Sequence, residues 1–102
     1  MINCEIKLEG NNISKVKITG HADFADAGSD RVCAGASMLS YAIANKCLKI
    51  NKDFKFEENK SKGMIFINDC KSEEINLLME TLVEGFEMLE KEYKKNVNVR
   101  RS

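Results

Sequence analysis

Residues 2–20 read INCEIKLEGNNISKVKITG, and this stretch decides the fold. Apolar and polar residues alternate in both of its halves, with the apolar set formed by Ile2, Cys4, Ile6, Leu8, Val16 and Ile18. A period of two is typical of strands with one buried face. Gly10, Asn11 and Asn12 provide the turn between the halves. The stretch therefore predicts an antiparallel hairpin that ends near Gly20.

The chain beyond this hairpin alternates between helical and strand patterns. Ser29 or Asp30 is expected to cap a helix of small residues that runs to about Leu48. A second hairpin is expected from Phe54 to Ile67, and Ser72 is expected to cap a long second helix. The apolar stripe of that helix consists of Ile75, Leu78, Met79, Leu82, Val83, Phe86, Leu89 and Tyr93. Val97 and Val99 alternate with polar residues and predict a short final strand.

The order of these elements, β-β-α-β-β-α-β, predicts an α+β fold with a mixed sheet and two helices packed on one face. The chain has 102 residues, which is the size of one domain, and no linker or repeat divides it. We therefore expect a single domain over residues 1–102.

Composition and charge exclude several classes of partner. Sixteen basic residues balance sixteen acidic ones, so direct binding of nucleic acid by clustered cations is not expected. The first residues lack the basic and apolar regions of a signal peptide, and no segment is long enough to cross a membrane. Four cysteines without close pairing favour reduced thiols and a cytoplasmic location.

The chemistry-bearing block is residues 20–37, GHADFADAGSDRVCAGAS. The only histidine, His21, precedes Cys33 by twelve positions, and Cys33 is expected in the first turn of the first helix. A helix start favours thiolate over thiol, and a neighbouring imidazolium adds to this effect. The pair then suits acyl transfer, with backbone N–H groups around Cys33 and Ala34 available to stabilise an oxyanion. Gly28 would allow close approach of a bound peptide.

Structural interpretations of the same residues stay open. A lone histidine at a strand end is more often a surface residue, and a cysteine in an alanine-rich helix is more often a small core residue. Cys4, Cys47 and Cys70 are expected in or near the core. A zinc site from Cys4, His21 and Cys33 lacks a close ligand pair, so no metal or cofactor is expected. Asp30 is favoured over Asp23 and Asp26 as the carboxylate that orients the histidine.

The block resembles the ribosomal-processing cysteine protease family, Prp. The resemblance is carried by Gly-His-Ala, a short loop with a glycine, Asp-x-Val-Cys-Ala and a serine four residues after the cysteine. These are Gly20, His21, Ala22, Gly28, Asp30, Val32, Cys33, Ala34 and Ser37 in this chain. Arg31 departs from the aliphatic residue that many members carry at its position.

The resemblance implies a cysteine endopeptidase that removes a short N-terminal extension from protein twenty-seven of the large ribosomal subunit. His21 and Cys33 would be its catalytic dyad, with Asp30 as a possible orienting residue. Gly28, Ala34 and Ser37 would contact the substrate. The family further implies a homodimer and a mobile loop at about residues 22–30 that closes over the site.

Two rival hypotheses come from other functional classes. The first is a non-catalytic module for ribosome binding or assembly, in which Cys33 is structural; it predicts that the precursor is bound but not cut. The second is a thiol redox sensor, which needs a resolving cysteine near Cys33. Cys47 lies about four helical turns away, too far for a disulfide within one straight helix.

Overall fold

The computed structural model describes residues 1–20, 29–59 and 63–102, with the side chains of residues 29 and 30 outside this description. The elements follow the predicted order and comprise β1 (Ile2–Glu9), β2 (Asn12–Gly20), α1 (Ser29–Ile50), β3 (Lys55–Asn59), β4 (Gly63–Ile67), α2 (Glu73–Glu92) and β5 (Val97–Arg101). No helix in these ranges is both long and apolar enough to cross a membrane.

The five strands form one mixed sheet in the order β3-β4-β2-β1-β5. The β1–β2, β2–β4 and β3–β4 pairs are antiparallel, whereas β5 pairs with β1 in parallel. Parallel neighbours require a crossover connection. The helix α2 connects β4 to β5 and carries the chain past β2 and β1, which places β5 beside β1 and makes the sheet mixed, as predicted.

The first hairpin confirms the alternation except at its turn end. Ile2, Cys4 and Ile6 are buried, but Leu8 is 38 % exposed. The β1–β2 register shifts between Lys7 and Leu8, because β2 contains one extra residue, Ser14, at this point. Such a bulge bends the strand and disrupts the ladder locally. Leu8 is therefore exposed, contrary to the expectation that it is buried.

Both helices match the predicted segments closely. The helix α1 continues to Ile50, two residues beyond the expected end. The Ser72 side chain accepts a hydrogen bond from the backbone N–H of Ile75, which confirms the predicted cap of α2. Its buried residues are Ile75, Met79, Leu82, Val83 and Phe86, all members of the predicted stripe.

The core joins the inner face of the sheet to the two helices. Phe66 of β4 and Phe86 of α2 are its largest fully buried side chains. Cys4 and Cys47 are fully buried and Cys70 is half-buried against the core, as predicted. The hairpins and helices thus leave the N-terminal part of α1 beside the ends of β2 and β4, where the candidate site lies.

Candidate active site

An open groove of about 710 Å³ runs between the N-terminal half of α1 and the sheet. Residues of α1 form one wall, and the ends of β2, β3 and β4 form much of the rest. The described residues that line it are Ile2, Ile18, Gly20, Cys33, Ala36, Ser37, Tyr41, Glu58, Asn59, Gly63 and Met64. The groove is large enough to accept several side chains of a bound peptide.

Cys33 lies in the wall formed by α1 and is partly exposed. Ser37 and Tyr41 follow it at intervals of four residues, so the three side chains share one face of the helix. Val32, the preceding residue, is fully buried in the core and anchors this turn. The thiol is thus presented to the groove from a rigid element.

Two glycines bring backbone close to backbone at the opposite wall. Gly20 and Gly63 both have positive φ, of 84° and 82°. A Cβ atom on Gly20 would overlap with the carbonyl oxygen of Met1, and one on Gly63 would overlap with that of Ile18. Only glycine fits both the conformation and the space. These contacts set the shape of the groove at the end of β2 and the start of β4.

The groove ends at a hydrogen bond between α1 and the edge strand β3. The Tyr41 hydroxyl donates to the Glu58 carboxylate. This hydrogen bond is the main reason why the pKa of Tyr41 is raised. The Tyr41 ring also meets the Phe56 ring edge-on, with centroids 6.5 Å apart and planes at 76°. A carboxylate is therefore held at a defined position in the groove.

The start of α1 differs from the expectation in one respect that bears on chemistry. The helix begins at Ser29, so Ser29 and Asp30 are helical residues and do not precede the helix as caps. Cys33 is consequently its fifth residue, just past the first turn. In an α-helix the N–H of each residue from the fifth onward bonds to the carbonyl four residues earlier. The N–H groups of Cys33 and Ala34 are therefore engaged within the helix, contrary to their expected role as free oxyanion donors.

The remaining predicted site residues divide into three groups. The first group, His21, Asp23, Asp26 and Gly28, lies outside the described residues. The expected mobile loop at about residues 22–30 also lies outside them, except for residues 29 and 30, and the side chain of Asp30 is not described. Ser37 lines the groove. Ala34 is exposed but is not among the residues that line it.

Several groove residues were missed by sequence reasoning. Tyr41 could have been found, because eight residues after Cys33 is a return to the same helical face. Glu58, Gly63 and Met64 carry no such signal, since they reach the groove only through the pairing of β3 with β4 and of β4 with β2. Arg31, which departs from the family pattern, is exposed.

Two of the other cysteines are unsuited to act as nucleophiles. Burial raises the pKa of Cys4 to about 12 and that of Cys47 to about 11. Both thiols stay protonated at neutral pH and have no access to the groove. Within the described ranges no three His, Cys, Asp or Glu side chains form a cluster that could hold a metal ion.

The chain is similar to known proteins along nearly its whole length. Residues 1–98 match the model of the family described as cysteine protease Prp. The ribosomal processing cysteine protease Prp of Bacillus subtilis (strain 168) is 30 % identical over 99 residues, which cover 85 % of this chain and 84 % of the relative. The Prp of Staphylococcus aureus (strain Mu50) is 27 % identical over 103 residues, with 97 % of each chain covered.

Solved structures share the fold. The crystal structure of the essential ribosomal processing protease Prp from S. aureus with a covalently linked product peptide superposes with a TM-score of 0.87. The alignment covers all of both chains at 24 % sequence identity. The same protease with a substrate peptide gives a TM-score of 0.84.

The matches define the class of this protein, which is a cysteine protease. Within that class, the chain belongs to the Prp family.

Proposed function

We propose that this protease is an endopeptidase that removes the N-terminal extension of large-subunit ribosomal protein twenty-seven and thereby serves ribosome maturation. The curated relatives bear the name ribosomal processing cysteine protease, which supports a ribosomal substrate. The observation that carries the proposal is the partly exposed thiol of Cys33 in the wall of a groove wide enough for a peptide.

Cys33 is the nucleophile in this proposal, and His21 is the general base and acid. Gly20 lines the groove together with Cys33, and His21 is the next residue in the sequence, which supports the pairing. Asp30 is the proposed orienting residue for the imidazole. The proposed substrate contacts are Gly28, Ala34 and Ser37, of which Ser37 lies on the groove face of α1.

The reaction then follows the chemistry of a thiolate–imidazolium pair. The Cys33 sulfur forms a bond to the scissile carbonyl carbon, and the carbon–nitrogen bond breaks as His21 gives its proton to the leaving amine. His21 next takes a proton from water, and the resulting hydroxide attacks the thioester. The carbon–sulfur bond breaks, which releases the carboxylic acid product and restores the thiolate.

The groove has the composition expected for an extended peptide. Ile18, Ala36 and Met64 supply apolar surface, and Gly20 and Gly63 line the groove with no side chain of their own. A bound segment with apolar side chains would remove this surface from water, at about 25 cal/mol per Å² of apolar area. This arrangement supports cleavage beside apolar residues.

The proposal extends to the state of the protein in the cell. We place it in the cytoplasm, as a single domain that forms a homodimer and binds no nucleic acid directly. Sedimentation at micromolar concentrations tests the homodimer. A monomer mass at all concentrations would contradict the proposed homodimer.

The first experiment incubates the ribosomal protein precursor with wild type, Cys33→Ala and His21→Ala and measures product masses. We expect one cut by wild type and none by either variant. The matched control is Cys47→Ala, which removes a buried thiol from the same helix and should still cut. Precursor that binds to wild type and stays intact would refute the proposed substrate and favour an assembly role.

A further inference from the structure

Among the described residues that line the groove, Glu58 is the one carboxylate, and the proposed function does not use it. Glu58 lies on β3, an edge strand of the sheet, where it is paired across from Met64. Both side chains line the groove.

The position of Glu58 on the inner face of the sheet follows from strand geometry. Successive side chains point to opposite faces, so Phe56 and Glu58 share a face. Phe56 packs on the buried Phe66 ring with centroids 5.0 Å apart, which identifies this face as the one toward the helices. Glu58 is thus a charged residue on the inner face of the sheet, at the boundary between the core and the groove.

The carboxylate is held in place but its charge is not neutralised by the described residues. Among the described residues its hydrogen-bond donor is the neutral Tyr41 hydroxyl, and the ion pairs found in these ranges do not include it. As far as the described residues are concerned, one oriented donor leaves lone pairs of the two oxygens available. A cationic side chain entering the groove would find a pre-positioned partner.

The spacing along α1 sets the distance between Cys33 and the Tyr41–Glu58 pair. Tyr41 follows Cys33 by eight residues, which corresponds to about 12 Å along the axis at 1.5 Å per residue. An extended peptide advances about 3.3 Å per residue, so this span equals about four residues. The Tyr41–Glu58 pair therefore meets a substrate side chain well outside the scissile bond.

We propose that Glu58, oriented by Tyr41, is a specificity residue that selects a lysine or arginine side chain about four residues from the scissile bond. This inference deepens the proposed function and rests on its assignment of Cys33 as nucleophile. Exposed ion pairs contribute little, but a pair shielded by a bound peptide contributes more. We expect a discrimination of about threefold to tenfold between a cationic and a neutral side chain at that position.

The experiment uses peptides that the protease cuts once, each with a single Lys, Gln or Glu placed from five residues before to five after the scissile bond. We compare kcat/KM for wild type, Glu58→Gln, Glu58→Lys and Tyr41→Phe. Wild type should prefer Lys at one position three to five residues from the bond. Glu58→Gln should lose this preference, Glu58→Lys should reverse it toward Glu at the same position, and Tyr41→Phe should reduce it.

Glu57→Gln is the matched control. It removes the same charge one residue earlier on β3, where the side chain points to the opposite face of the sheet. This variant should keep the wild-type preference. Loss of the Tyr41–Glu58 link as a structural contact would lower cleavage of the Lys and Gln peptides equally, whereas loss of recognition would lower only the preference for Lys. Thermal unfolding of all variants measures whether the substitution has also changed stability.

The outcomes separate this inference from the proposed function. Cleavage of the scan peptides without cleavage of the ribosomal precursor would remove the proposed substrate and leave the inference standing. A Lys preference that survives in Glu58→Gln, or no preference at the expected distance, would overturn the inference alone. If no peptide is cut, fluorescence anisotropy with Cys33→Ala makes the comparison, and equal affinity for Lys and Gln peptides would overturn it.

Discussion

Gly20 packs directly against the backbone of Met1, so that a Cβ atom at position 20 would overlap with the Met1 carbonyl oxygen. The contact lies at the end of β2, one residue before His21, and Gly20 also lines the groove that contains Cys33. The geometry of this strand end is therefore fixed by backbone, with no side chain to yield.

Gly20→Ala should lower both stability and cleavage. Positive φ costs a non-glycine residue about 1–2 kcal/mol, and the overlap with Met1 adds to that cost. Gly10→Ala is the control, because Gly10 also has positive φ but its Cβ would meet no atom of the described residues within 4 Å. Urea unfolding measures the loss of stability in each variant, and precursor cleavage measures the loss of activity. A loss in Gly10→Ala equal to that in Gly20→Ala would show that the contact with Met1 has no energetic effect.

Gly35→Ala should stabilise the protein by about 0.5–1 kcal/mol, because glycine is a poor helix former. Among the described side chains, a Cβ at position 35 would meet only that of Leu89, at an ordinary 3.8 Å. In Gly85→Ala the new Cβ would overlap with Leu39, so its gain should be smaller. Thermal unfolding compares the two variants. Destabilisation by Gly35→Ala would indicate a contact from residues outside the described ranges.

Ser40→Ala should leave stability unchanged or raise it by up to about 2 kcal/mol. Ser40 is fully buried in α1, and its hydroxyl has no hydrogen-bond partner among the described residues. Removal of an unsatisfied buried hydroxyl relieves its desolvation cost, and alanine favours the helix. Ser72→Ala provides the contrast, since loss of the α2 cap should cost about 1 kcal/mol. Destabilisation by Ser40→Ala would mean that its hydroxyl is hydrogen-bonded in solution.

Stability should fall as the pH rises above about 9. The pKa of Cys4 is raised by burial from 9.0 to about 12, and that of Cys47 from 9.0 to about 11. Below pH 9 these thiols are protonated in both states, so their contribution is fully present. Above it the unfolded chain releases their protons first, and each thiol lowers the free energy of unfolding by about 1.4 kcal/mol per pH unit until its folded pKa is reached.

Urea unfolding from pH 8 to pH 10.5 measures this dependence. Cys47→Ala removes one of the two thiols, so its curve should fall less steeply than that of wild type. Parallel curves would contradict the assignment of the effect to Cys47.

Alkylation of the folded protein should distinguish the four thiols. Cys33 and Cys70 are partly exposed, whereas Cys4 and Cys47 are fully buried and protonated. Iodoacetamide at pH 8 should therefore modify Cys33 and Cys70 well before the buried pair, as measured by peptide mass spectrometry. Early modification of Cys4 would show that the core opens more readily than its packing indicates.

The sequence alone determined the elements and their order, because each depends on a periodicity within a short window. The alternation in residues 2–8, the Ser72 cap and the stripe from Ile75 to Phe86 are local features, and the structure confirms them apart from Leu8. The family could also be predicted from one block of eighteen residues, because its motif residues are close together in the chain.

Only the tertiary structure decided the parallel pairing of β5 with β1 and the composition of the groove. Cys33, Glu58 and Gly63 are brought together by sheet pairing and by helix packing, which act between segments far apart in the chain and leave no mark on local periodicity. The paired N–H of Cys33 has the same origin, since it depends on where the helix begins. Local patterns therefore predicted the proposed nucleophile, whereas long-range packing selected the residues that surround it.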